Sequence, residues 1–124
     1  MRIAVVLPTY NEAENLPRLV SVLFSLPLDL AILVVDDNSP DGTGTIADQL
    51  SQKNPDKLFV LHRTGKLGLR SAYLEGFQKA FGLGAEAVVQ MDADFSHDPA
   101  VLAEMARRIA SSHVVIGSRY VKGG

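Results

Sequence analysis

The chain has 124 residues, of which 47% are hydrophobic, and this suits a single domain with a buried core. Charged residues make up 21% and form no long block of one sign, which argues against a disordered chain. The net charge of −2 argues against a broad nucleic-acid-binding face, and the lack of cysteine excludes disulfides, thiolate zinc sites and thiol nucleophiles.

No segment of the sequence predicts insertion into a membrane. The apolar start is interrupted by Pro8, and no run of about 18 apolar residues occurs. The absence of cysteine is compatible with a reducing compartment. We therefore expect a chain that is soluble by itself and cytoplasmic, without a nucleic-acid partner.

Five short apolar runs rich in Val, Ile and Leu predict strands that are buried on both faces. They are Ile3–Leu7, Leu30–Val35, Leu58–Leu61, Ala87–Met91 and Val114–Ile116. The predicted helices are Leu16–Phe24 with Asn15 as N-cap, Thr45–Gln52, Ser71–Phe81 closing at Gly82 or Gly84, and Pro99–Ile109 with Asp98 as cap. This alternation predicts a three-layer α/β domain with a mostly parallel sheet.

Polar residues directly follow four of the five predicted strands. They are Tyr10, Asn11 and Glu12 after the first, Asp36, Asp37 and Asn38 after the second, Asp92 and Asp94 after the fourth, and Ser118 and Arg119 after the fifth. Open parallel sheets bind their ligands at the carboxyl ends of the strands. The sequence therefore predicts a binding site at this edge of the sheet.

The segment Asp92-Ala93-Asp94 predicts a metal site. Carboxylates two residues apart can turn toward one cation where the chain leaves a strand, and oxygen ligands favour Mg²⁺ or Mn²⁺ shared with phosphate oxygens. The alternative is that Asp92 caps a loop and Asp94 is solvated. Their position at the end of a buried strand, near other acids, favours the metal.

The remaining polar segments have both a structural and a functional interpretation. Asp37 lies in a run of turn-forming residues, but an acid at this place could also take ribose hydroxyls or approach the metal. Tyr10 could stack on a base and Glu12 could accept its N–H groups, or Glu12 could simply favour a helix N-terminus. Arg119 could bind phosphate or form a surface salt bridge. No G-x-G-x-x-G fingerprint occurs, so the backbone alone is not predicted to cradle a pyrophosphate.

Six stretches spread along nearly the whole chain resemble the family 2 glycosyltransferases of the GT-A fold, and in particular the polyprenol (dolichol) phosphate mannosyltransferases. The stretches are Leu7-Pro8-Thr9-Tyr10-Asn11-Glu12, the eight residues from Asp36 to Thr43, Leu67-Gly68-Leu69, Ser71-Ala72-Tyr73, the nine residues from Met91 to Pro99, and Gly117-Ser118-Arg119-Tyr120. The first two point to the broad family. The fifth and sixth together narrow the resemblance to the mannosyl-phosphate branch.

The resemblance implies a Rossmann-like nucleotide-sugar-binding domain spanning 1–124, and it assigns roles to individual residues. Pro8, Tyr10 and Glu12 would line a guanine pocket, and Val35 and Asp37 would hold the base and ribose. Asp92 and Asp94 would bind Mg²⁺ or Mn²⁺ and the sugar diphosphate, with the backbone of Ala93 nearby. Asp94 and Arg119 would be the catalytic residues, with Arg119 meeting phosphate or the acceptor.

Three departures from the family pattern qualify this picture. Arg70 stands where a glycine is usual, and Ser96 replaces a further metal ligand of some relatives, so that Ser96 would reach the metal through water. Family members are also roughly twice as long, so we expect this chain to be a truncated form without the acceptor-side half. The full-length enzyme would then associate with the cytoplasmic face of a membrane, and it could form a homo-oligomer.

The implied reaction is the inverting transfer of mannose from GDP-mannose to a polyprenyl phosphate. Since a phosphate nucleophile is already anionic, no strong general base is required. Catalysis must instead stabilise the negative charge that develops on the leaving nucleotide, and a metal would do so. A related transferase using UDP-glucose or another donor is the first alternative. A phospho-receiver domain is disfavoured because its paired acids would follow the first strand, and a dinucleotide oxidoreductase is disfavoured because the glycine fingerprint is absent.

Overall fold

A four-stranded parallel sheet forms the centre of the protein. The computed structural model describes residues 2–63, 69–91, 93, 102 and 104, and these form strands and helices in alternation. The elements are β1 (Ile3–Thr9), α1 (Leu16–Ser25), β2 (Leu30–Asp36), α2 (Thr43–Lys53), β3 (Leu58–His62), α3 (Leu69–Gly82) and β4 (Ala87–Gln90). The strand order is β3-β2-β1-β4, and all pairings are parallel. The predicted α/β class and parallel sheet are confirmed.

The sheet separates two apolar clusters, which makes three layers. On one face Ile3, Val5 and Leu7 of β1 pack with α1 and α2, and this is called the α1/α2 face. On the opposite face, called the α3 face, Val6 and Val35 pack with α3. Alternate residues of a strand point to opposite faces, and every strand residue from 30 to 36 is buried because both faces are covered.

Three strands run one or two residues further at their carboxyl ends than predicted, because Thr9, Asp36 and His62 continue the ladder. Pro8 is tolerated within β1 although it has no N–H to donate. The carbonyl of Val6 accepts from Met91 N–H, so alternate residues of β1 face β4, and Pro8 is on that side. The β4 pairing ends at Gln90, opposite Val6, so Pro8 lies at the end of this ladder, where proline is tolerated.

The bounds of the three described helices agree with the predictions to within two residues. Asn15 occupies the N-cap position of α1, but its side chain makes no capping hydrogen bond, so that part of the prediction is wrong. Its backbone is already helical (φ −88°, ψ −30°), whereas side-chain capping favours an extended residue. Helix α2 begins two residues earlier than predicted, after the left-handed Gly42. Helix α3 ends at Gly82 as expected.

Helix α3 lies unusually close to the sheet at Gly76. A Cβ atom on this residue would come 2.5 Å from Val6 Cγ1 and 3.3 Å from Val35 Cγ2, so only glycine permits the approach. The predicted fifth strand and most of the predicted fourth helix lie outside the described residues, although Leu102 and Glu104 are helical. Within the described part of the chain, no helix is long and apolar enough to cross a membrane.

Candidate functional site

The carboxyl ends of β1, β2 and β3 lie side by side and bring the predicted polar segments together. Thr9 pairs with Asp36, and Asp36 pairs with His62, across the three neighbouring strands. The ladder is extended by two further bonds, from Asp37 N–H to the Thr9 carbonyl (3.1 Å) and from Arg63 N–H to the Asp36 carbonyl (2.8 Å). The predicted grouping of the first two polar segments at one edge is therefore present.

Asp36 is a buried carboxylate that organises this edge. Its Oδ1 accepts hydrogen bonds from the hydroxyls of Thr9 (2.7 Å) and Ser39 (2.6 Å), and its Oδ2 accepts from the Ser39 backbone N–H (3.0 Å). Only 2% of the residue is exposed. Burial of a carboxylate is costly unless hydrogen-bond donors replace water, and here three donors do so. Asp36 thus fixes the loop after β2 against the end of β1.

The turn that follows β1 is held by side chains of the loop that follows β2. Three successive backbone N–H groups, those of residues 11, 12 and 13, donate across the gap. Asn11 N–H donates to Ser39 Oγ (3.0 Å), and Glu12 N–H donates to Thr43 Oγ1 (3.0 Å). Ala13 N–H donates to a carboxylate oxygen of the same loop at 3.1 Å. The backbone amides of residues 11 to 13 are therefore used within the protein.

Asp41 supplies that carboxylate and lies just before the start of α2. It accepts hydrogen bonds from the hydroxyl of Thr43, from Thr43 N–H (3.0 Å) and from Ala13 N–H. The Thr43 hydroxyl, followed by these backbone donors, holds the pKa of Asp41 below its usual value. Asp41 therefore stays ionised at neutral pH and ties the start of the helix to the first turn.

The residues predicted to bind the base and ribose share one face of the sheet. Pro8 pairs directly with Val35, and Val35 packs in the cluster of the α3 face. Asp37 comes two residues after Val35, so its side chain lies on the same face of the sheet, and the residue is 7% exposed. Tyr10 is 38% exposed at the rim, and Glu12 is half-buried. The structure thus brings Pro8, Val35 and Asp37 together on the α3 side of the edge.

Asp37 is paired with Arg63, a residue that the sequence analysis did not single out. Arg63 Nε lies 2.9 Å from Asp37 Oδ1 and 3.7 Å from Glu75 Oε1 of α3. The side chains of Asp37 and Arg63 are 9% and 2% exposed, whereas that of Glu75 is 44% exposed. The nearer contact has an ion-pair distance but not the angles of a hydrogen bond. We therefore regard its contribution as mainly electrostatic.

Arg63 could have been found by the rule that located the other polar segments. His62 and Arg63 end and follow the third strand, at the same edge as Asp36 and Asp37. The pairing of Arg63 with Asp37 could not be predicted in this way, because the two residues are 26 positions apart in sequence. No local pattern marks that pairing.

A cavity of about 220 Å³ opens beside the first turn of α2. His62 lines it, and His62 Nε2 lies 2.9 Å from Asp48 Oδ1. Both side chains are about half exposed (51% and 54%), so this pair contributes little to stability. Asp36 and Arg63 line the same cavity.

The predicted metal and phosphate ligands Asp92, Asp94, Ser96 and Arg119 lie outside the described residues, as does the side chain of Arg70. Ala93, between the two acids, is 3% exposed and packs in the core of the α1/α2 face with Leu102. Among the residues that the structure describes, no group of three His, Asp or Glu side chains could hold a metal ion.

Comparison with known proteins decides the family of this chain. Residues 4–124 match the family described as Glycosyl transferase family 2. The chain belongs to glycosyl transferase family 2. This membership confirms the resemblance drawn from the sequence motifs, and it decides against the receiver-domain and oxidoreductase alternatives.

The chain is similar over its whole length to curated proteins that are named as polyprenol or undecaprenyl-phosphate mannosyltransferases. The chain is 48% identical over 124 residues to the polyprenol monophosphomannose synthase of Mycolicibacterium smegmatis, covering 99% of the chain and 47% of the relative. It is 44% identical to the undecaprenyl-phosphate mannosyltransferase of Micrococcus luteus, covering 100% of the chain and 51% of the relative. The chain therefore spans about half the length of these relatives.

A solved mannosyltransferase structure has the same fold as this chain. The mannosyltransferase PcManGT of Pyrobaculum calidifontis, in complex with GDP-Man and Mn²⁺, superposes with a TM-score of 0.76 at 28% identity. The match covers 88% of this chain and 32% of that protein. The predicted GT-A type of α/β fold is confirmed by this likeness.

Proposed function

We propose that this chain is the donor-binding domain, residues 1–124, of an enzyme that transfers mannose from GDP-mannose to a polyprenyl phosphate. The observation that carries the proposal is the grouping of Pro8, Val35 and Asp37 on the α3 side of the carboxyl edge. The proposal is supported by the names of the relatives and by the GDP-Man in the similar structure.

The described residues could recognise the nucleoside through side chains. Tyr10 is exposed enough at the rim to stack on a base, and Pro8 and Val35 offer an apolar wall. Glu12 would accept the N–H groups of guanine. Asp37 would accept a ribose hydroxyl while its ion pair with Arg63 keeps the carboxylate in place.

The diphosphate would lie toward the segment after β4. The predicted ligands are the carboxylates of Asp92 and Asp94, with the Ser96 hydroxyl reaching the metal through water, and this chemistry fits Mg²⁺ or Mn²⁺. The metal, when bound, would stabilise charge on the leaving diphosphate. Arg119 would contact phosphate or the acceptor. Because the acceptor phosphate is already anionic, positioning by these residues would supply most of the rate enhancement, with inversion at the sugar carbon.

The partners and location of the whole protein follow from this proposal. Its acceptor would be a polyprenyl phosphate, which places the enzyme at the cytoplasmic face of a membrane. Asp94 and Arg119 are the proposed catalytic residues. No nucleic acid is involved.

The proposal is tested by calorimetric titration of the chain with GDP, UDP and GDP-mannose, first with Mn²⁺ and then with EDTA. We expect GDP and GDP-mannose to bind in a metal-dependent manner and more tightly than UDP. Preference for UDP would favour the alternative, a family 2 transferase with another nucleotide-sugar donor. Failure of all three ligands to bind a folded sample would contradict the proposed role of this domain.

A variant pair tests the metal ligands. Asp92→Ala should abolish metal-dependent binding of GDP, because one of the two predicted carboxylate ligands is removed. Asp29→Ala is the matched control, since Asp29 is an exposed acid just before β2, at the amino edge of the sheet. Wild-type GDP affinity of the Asp92→Ala variant with Mn²⁺, still lost on addition of EDTA, would refute the assignment.

A further inference from the structure

Two hydroxyl groups connect the turn after β1 to carboxylates of the loop after β2. Ser39 Oγ accepts a hydrogen bond from Asn11 N–H (3.0 Å) and donates one to Asp36 Oδ1 (2.6 Å). Thr43 Oγ1 accepts one from Glu12 N–H (3.0 Å) and donates one to Asp41. The donor and acceptor roles of each hydroxyl are therefore defined, because the carboxylate can only accept a hydrogen bond and the backbone amide can only donate one.

The residue that Ser39 contacts has an unusual backbone conformation. Asn11 has φ +60°, in the left-handed region that is unfavourable for residues other than glycine, although asparagine tolerates it better than most. Such a conformation persists where surrounding contacts hold it. The Ser39 hydroxyl is one such contact, and it is anchored in turn on a carboxylate that is 2% exposed.

The direction in which Tyr10 and Glu12 leave the turn depends on the residue between them. A change of φ at Asn11 would rotate the backbone of one neighbour relative to the other. Both neighbours carry side chains assigned to the nucleobase under the proposed function, and the turn has no backbone N–H at residues 11 to 13 left to bind a phosphate in their place.

We propose that Ser39 is a positioning residue for nucleobase recognition, acting through the left-handed turn at Asn11 and anchored on Asp36. This inference rests on the proposed function, because it concerns the same donor site. Ser39 sets the relative orientation of Tyr10 and Glu12 and so determines the preference for one base over another, without itself contacting the ligand.

The test is the ratio of GDP to UDP affinity in two variants of Ser39, measured by titration calorimetry with Mn²⁺. Ser39→Ala removes the hydroxyl and leaves Asn11 N–H and Asp36 without that partner, so we expect GDP to bind about tenfold more weakly. UDP affinity should change less than twofold, so the ratio falls. Ser39→Thr keeps the hydroxyl and should restore the ratio.

Ser51→Ala is the matched control for loss of stability. Ser51 is also half-buried, and its hydroxyl donates to the Leu58 carbonyl (2.8 Å) at the amino end of β3, far from the carboxyl edge. We expect this variant to lower the melting temperature about as much as Ser39→Ala but to leave the GDP to UDP ratio unchanged. Amide hydrogen exchange at Asn11 should accelerate in Ser39→Ala alone.

The possible outcomes separate the inference from the function on which it rests. Wild-type affinity ratios in Ser39→Ala, or an equal loss of GDP and UDP affinity, would overturn the positioning role alone. A wild-type chain that binds no GDP would overturn the proposed function and the inference with it. A reduced ratio in both Ser39→Ala and Ser51→Ala would show a general effect of stability and would also overturn the inference.

Discussion

Replacing Arg63 with methionine would leave the buried carboxylate of Asp37 without the cation that lies 2.9 Å away. The two side chains are 2% and 9% exposed, so water cannot readily take the place of the guanidinium. Removal of one member of a buried ion pair typically costs about 3–5 kcal/mol of the free energy of unfolding. Glu75 is 3.7 Å from Arg63 Nε and nearly half exposed, so it should contribute only a small part of this loss.

The loss should be measured by urea denaturation of wild type, Arg63→Met, Asp37→Asn and the double variant. Because the double variant removes both charges, it should be more stable than the sum of the two single losses predicts, by about 1 kcal/mol or more. Lys79→Met is the control, since Lys79 is exposed on α3 and surface changes usually stay within about 0.5 kcal/mol. A fall of less than about 1 kcal/mol in Arg63→Met, or strictly additive losses, would refute the buried-pair interpretation.

Two further predictions concern packing and pH. Gly76→Ala should lower the free energy of unfolding by about 1–3 kcal/mol, because the new methyl would lie 2.5 Å from Val6 Cγ1. Gly82→Ala, with open space at the Cβ position, should be harmless in the same thermal melts, and equal behaviour of the two variants would contradict the close helix approach. Since its hydrogen bonds lower the pKa of folded Asp41, the ionised group stabilises the fold above its ordinary pKa of about 4, and this stability is lost as the pH falls through the lowered value. Asp41→Asn should therefore reduce the dependence of the melting temperature on pH below about 4, and an unchanged acid dependence would contradict the role given to the Thr43 hydroxyl.

The regular part of the fold was predictable because its signals are local. Runs such as Leu30–Val35 contain only apolar residues and so require cover on both faces, which determines a parallel sheet between helices. The ends of elements were less predictable. Strand β2 extends to Asp36 because that polar residue accepts three hydrogen bonds. One of them comes from Thr9, which is 27 residues away and so invisible to a local strand pattern.

The contacts that build the site depend on the tertiary fold. The pairing of Asp37 with Arg63 joins the ends of β2 and β3, and the bond from Asn11 to Ser39 joins loops 28 residues apart. The residues between Asp36 and Thr43 predicted a turn and a binding role for Asp37, but they did not predict the hydrogen bonds that Ser39 and Thr43 make to another segment. A hydroxyl that serves a local turn and one that serves a distant amide have the same appearance in a sequence.

The two adjacent acids Asp36 and Asp37 illustrate how one sequence feature can serve two purposes. Adjacent buried carboxylates would repel each other if both faced the same side, but alternation along the strand directs them to opposite faces. Asp36 is stabilised by hydroxyl and amide donors, and Asp37 is stabilised by a cation. Neutral donors hold a carboxylate without altering its net charge, which suits an anchor for the loops. A cation partner offsets the charge of Asp37 and leaves the pair close to neutral, which suits a residue that must accept a hydroxyl near an anionic diphosphate.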